Sequence, residues 1–90
     1  MGPLRDNQAD ALKPLYDRLH RYAGWLDRER TSVTVRADVE ALGAAINTGT
    51  DPLPLLHALD ANLARLPGGE MRKMLRVAAS EMRRALGESA

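Results

Sequence analysis

Leu12, Leu15, Leu19, Tyr22 and Leu26 recur at steps of three and four, with Tyr16 and Ala23 widening the same stripe. That spacing is helical periodicity, so the segment makes one amphipathic helix with a single apolar face. Three further stripes repeat it. Val35, Val39, Leu42 and Ile46 form the second; Leu56, Leu59, Leu63 and Leu66, flanked by Leu55, the third; Met71, Leu75, Ala78, Met82 and Ala85, with Met74 beside them, the fourth. Composition agrees with the pattern. Leucine and alanine contribute 14 residues each, against five for valine and isoleucine together and no phenylalanine, so the apolar content comes from helix formers rather than strand formers. The β-branched run Ser32-Val33-Thr34-Val35 has no second strand to pair with, and a lone strand is not stable.

The punctuation between stripes sets the expected boundaries. Pro14 suits the first turn of a helix, where no amide donor is needed, so residues 1–8 are read as a flexible N-terminal segment and the first helix as about 13–29. The hydroxyls of Thr31, Ser32 and Thr34 serve as N-caps for a second helix over about 34–47, closed by Asn47-Thr48-Gly49. Asp51-Pro52 opens the third helix, about 52–66, and Pro67-Gly68-Gly69 stops it; the fourth runs over about 70–86 with Gly87 as its cap. Short links make antiparallel neighbours. The 90 residues are therefore expected to form one all-α domain, a small up-down-up-down four-helix bundle.

Charge and cysteine content narrow the function. Thirteen basic and 12 acidic residues give a formal charge of +1, which removes any general argument for a nucleic-acid or membrane partner. There is no cysteine, so no disulfide or thiolate metal site is available. No apolar run reaches the roughly 18 residues of a membrane span, and the start lacks a signal-peptide centre, so a cytoplasmic protein is expected.

Sorting each helix into faces shows what the core leaves over. The back of the third helix carries Leu53, Pro54, His57, Ala58, Ala61 and Ala64, with only Asp60 and Arg65 charged at its flanks; the second adds Ala37, Ala41, Ala44 and Ala45 beside its core stripe. An apolar surface of this kind points to self-association or a protein partner. Leu53, His57, Ala61 and Ala64 are the expected interface residues, with Trp25, placed toward Arg18, Arg21 and Arg28, as a secondary anchor. The leading expectation is a non-enzymatic interaction module that forms a homodimer or docks another protein. An accessory subunit of a larger enzyme or secretion complex is a further alternative.

The fourth helix carries one coherent charge feature. Arg72, Lys73, Arg76, Arg83 and Arg84 fall within an arc of about 120°, opposite the Met/Leu seam. This cationic stripe is the candidate for the alternative function, binding nucleic acid or another anionic surface. A helix-turn-helix reading of the second and third helices fails, because the recognition helix would offer a single arginine to bases and phosphates. No catalytic constellation is visible either. Asp17-x-x-His20 lacks the second pair and further carboxylates of a di-iron bundle, and Ser32, Ser80 and Ser89 have no nucleophile context. No catalytic residue, metal site or cofactor is expected.

Overall fold

The computed structural model describes residues 4–26 and 30–87. They form four helices, α1 (Asp6–Gly24), α2 (Arg30–Thr48), α3 (Leu53–Leu63) and α4 (Glu70–Ala85). Each helix packs on the next and α4 closes back onto α1, whereas neither diagonal pair brings its backbones into close approach. The result is a four-helix bundle with four sides, α1/α2, α2/α3, α3/α4 and α4/α1.

The four stripes meet in the middle. Leu12, Leu19, Val35, Leu42, Leu56, Leu59, Leu63, Leu75 and Met82 are fully buried, and Leu4, Leu15, Tyr16, Tyr22, Leu26, Leu53, Leu55 and Ala85 pack around them. Cross-links between neighbours run in antiparallel register. The Tyr16 hydroxyl donates to the Val39 carbonyl at 3.1 Å, and Leu4 N–H donates to Gly49 O at 2.8 Å, tying the start of α1 to the end of α2. Asn62 donates to Asp38 between α3 and α2, and Arg18 pairs with Glu81 at 3.0 Å between α1 and α4.

Four boundaries depart from expectation. α1 begins at Asp6 and carries Pro14 in its interior, so residues 6–8 are helical rather than a flexible lead. Burial of Leu12, the packing of Leu4 and the Leu4–Gly49 bond hold this turn against the missing Pro14 amide. At the other end α1 stops at Gly24, with Trp25 at its cap; the end expected at Glu29 lies outside the described residues. α2 begins at Arg30, so Ser32 and Thr34 belong to the helix rather than preceding it. Ser32 is buried and stands three residues before Val35 on the core stripe, which places its turn in contact with the interior.

α3 is shorter than its stripe. After Leu63 the chain tightens, with Arg65 N–H donating to Asn62 O and Leu66 N–H to Leu63 O, both at 3.1 Å. Pro67 explains the stop, because the residue preceding a proline is disfavoured in helical conformation. Leu66 is buried all the same. At the N-terminus of α3 the Leu53 amide donates to Asp51 Oδ1 at 3.1 Å. Gly49 (φ 74°) ends α2 and Gly87 (φ 89°) follows α4, the left-handed conformation that glycine adopts without strain.

Candidate functional site: a cationic groove between α3 and α4

The α4 stripe does not lie on an open convex surface. Arg72, Lys73, Arg76 and Arg83, together with Val77, Ser80, Gly69 and Asp60 of α3, line one groove of about 620 Å³ between α3 and α4. Four of the five predicted cations therefore converge. Arg84 is exposed but lies outside the groove lining. Positions 72, 76 and 83 follow at +4 and +7 and so return to one flank; Lys73 and Arg84 are both rotated about 100° from it, and Lys73 alone of the two reaches the groove, beside Gly69.

The cations differ in how tightly they are held. Arg83 is four-fifths buried and ion-paired with Asp60, and Arg72 donates from Nη1 to the Leu66 carbonyl at 3.2 Å. Lys73 and Arg76 are exposed and have no ion pair or hydrogen-bond acceptor among the described residues. The buried pair braces α4 against α3. The other two leave positive charge available to a ligand.

The expected apolar interface is placed differently from its sequence reading. Leu53 is half-buried and packs on the chain's own core, so it is not a free anchor. His57, Ala61 and Ala64 are exposed. Leu53, His57 and Ala64 stand seven and three residues before Asp60 and four after it, and so share its α4-facing flank. Asp60 is nevertheless the one α3 residue in the groove lining, and Leu53, His57, Ala61 and Ala64 lie outside it. Trp25 is 60% exposed at the end of the bundle. Its ring partner is Tyr22, with centroids 5.6 Å apart, rather than the expected arginines; Arg28 lies outside the described residues. Trp25 lines a separate cleft with Leu66, Pro67 and Met71.

Sequence reasoning missed the opposite side of the bundle. Lys13, Asp17 and Glu40 line a depression between α1 and α2 beside Tyr16, and Asp6, Asp10 and Lys13 line another at the open end of the same helix pair. Burial, followed by the charges of Glu40 and Asp17, pushes the Tyr16 hydroxyl pKa above its ordinary value of 10.0. The acids had a legible signal, the spacing of Asp6, Asp10 and Asp17. His20 is bound to Glu40 at 3.2 Å. Among the described residues no three His, Asp or Glu side chains converge as metal ligands, and no helix is long and apolar enough to cross a membrane. Comparison with protein-family models, curated proteins and solved structures returns no match.

Proposed function

We propose that the protein is a non-enzymatic docking module and that its α3/α4 groove holds an acidic surface of a protein partner. The observation that carries this reading is the convergence of Arg72, Lys73, Arg76 and Arg83 on one groove, with Lys73 and Arg76 lacking acceptors among the described residues. An exposed cation at a rim steers an oppositely charged partner and sets the salt dependence of its association.

A protein partner is favoured over nucleic acid by what lines the groove. Its only large apolar side chain is Val77 and it contains no aromatic ring on which a base could stack. Immobilised poly-glutamate, compared with single-stranded DNA of similar charge, tests the reading. The protein is expected to be retained on poly-glutamate at low salt, and Lys73→Glu/Arg76→Glu to weaken that retention about tenfold, the effect of roughly 1.4 kcal/mol. Retention unchanged by the substitution, or stronger retention on DNA, would overturn it.

A further inference from the structure

The acidic residues of α1 and the basic residues of α4 carry the same spacing. Asp6, Asp10 and Asp17 stand at i, i+4 and i+11, as do Arg72, Arg76 and Arg83. Each trio spans about 40° of its helix circumference and about 16 Å of its length. Laid side by side in parallel, the two rows bring all three carboxylates opposite all three guanidinium groups; laid antiparallel, they match only at the ends. Lys13 interrupts the acidic row at i+7, where the basic row has the buried Ala79.

The two rows cannot meet within one molecule. α1 does touch α4, but that contact uses Arg18 and Glu81, whereas the acids line the α1/α2 side and the cations the α3/α4 side. In a ring of four helices without close diagonal approach of backbones these sides are opposite. Asp6 and Asp17 are exposed and unpaired among the described residues. Asp10 meets only Lys13 at 3.7 Å, with both side chains mostly exposed, a contact of little energy that a better partner displaces. Arg21 lies one turn beyond Asp17, outside the matched span.

We propose that the acidic partner of the groove is a second copy of this chain, docked head to tail so that Asp10 of one copy meets the exposed Arg76 of the next, with Asp6 beside Arg72 and Asp17 toward Arg83, which keeps its pairing with Asp60. This rests on the docking function proposed above and names its partner. Because the two contacting surfaces differ, the contact is heterologous and each added copy presents a fresh groove. Association is therefore open-ended rather than limited to a symmetric dimer. It is driven by exposed charge, so it weakens as salt shortens the screening length from about 30 Å at 0.01 M to about 3 Å at 1 M.

Sedimentation velocity across a concentration series tests this with the full chain and two surface variants, each first checked for helicity by circular dichroism. At about 0.01 M salt, where screening is weakest, the wild type is expected to at least double its weight-average mass with concentration, and to return to monomer at about 1 M. Asp10→Lys/Asp17→Lys makes both surfaces basic and Lys73→Glu/Arg76→Glu makes both acidic, so each alone is expected to stay monomeric. Mixed in equal amounts, each variant offers the surface the other needs, and the high mass is expected to return. A wild type that remains monomeric at low salt yet binds poly-glutamate overturns self-docking and leaves the acidic-partner function standing. Loss of both overturns both. Unchanged association of the Asp10/Asp17 variant, or no recovery in the mixture, also overturns the self-docking register.

Discussion

Gly43 sits inside α2 where it faces Tyr16 of α1, and a Cβ built there would fall 2.3 Å from the Tyr16 hydroxyl and 2.6 Å from Cζ. No side chain fits that gap without swinging the ring out and breaking its bond to the Val39 carbonyl. Overpacking of this kind costs about 1–3 kcal/mol, against the roughly 1 kcal/mol that alanine gains over glycine in a helix. Gly43→Ala is therefore expected to lower the free energy of unfolding by up to about 2 kcal/mol in urea titration. In a Tyr16→Ala background the sign should reverse, because only the helix propensity is left. Tyr16 also makes a pH prediction. Its folded pKa is raised by burial and then by Glu40 and Asp17, so the folded state holds the proton longer than the unfolded chain does. The resulting stability is fully present below pH 10 and is lost as pH rises from there through the folded pKa. Tyr16→Phe is expected to flatten that alkaline decline, measured as unfolding free energy against pH. Gly43 could have been suspected from the sequence, as a glycine within a helical stretch, but its partner could not. The contact depends on the register between α1 and α2, which periodicity within either helix leaves undetermined.

At the scale of elements, the four helices were legible because their stripes are long and every one faces the same core. The ends were not, because tertiary packing and local chemistry compete there on nearly equal terms. Pro14 shows the competition. Read locally it marks a helix start, yet α1 runs through it from Asp6, leaving the Asp10 carbonyl without the amide that residue 14 would supply. An interior proline costs a helix about 3 kcal/mol relative to alanine, and Leu12 and Leu4 outweigh this by burying their side chains on α2 and the core. Pro14 is exposed, so its replacement opens no cavity. Pro14→Ala is expected to stabilise the fold by about 2 kcal/mol, the restored helix less the extra freedom of the unfolded chain. For a domain of this length that corresponds to a rise in Tm of roughly 8–16 °C. An unchanged or lowered Tm in a thermal melt would mean that the first turn is not held as described. The junction of α1 and α2 carries another feature invisible to periodicity: Arg36 donates to the carbonyls of Ala23 and Leu26 at the end of α1, where a cation also favours the helix dipole.

The whole molecule is a four-sided prism whose sides differ in chemistry. The α1/α2 side is acidic, the α3/α4 side basic, and the α4/α1 side is joined by Arg18 and Glu81. The α2/α3 side presents Ala37 and Ala41 of α2 with Ala58 and Ala61 of α3, all exposed. Counting apolar letters on a helical wheel makes this last side look like the interface. What that count omits is size and depth: Leu53, the one large aliphatic residue in the expected set, turns partly onto the core, and the largest exposed hydrophobics, Trp25, Val33 and Val77, lie apart at the end of α1, on α2 and on α4. Alanine is a good exposed helix former and offers a partner little area to bury. The two surfaces can be separated experimentally. Ala37→Glu/Ala41→Glu places two charges on the α2/α3 side without touching the groove or the acids of α1. If docking runs through the basic and acidic sides, this variant keeps the concentration- and salt-dependent mass of the wild type in sedimentation velocity. If the alanine side is the true contact, two desolvated carboxylates are expected to abolish association at every salt concentration, since burying an unpaired charge is far more costly than screening can relieve. The shape of the salt dependence thus distinguishes the alternatives independently of whether any single variant loses mass.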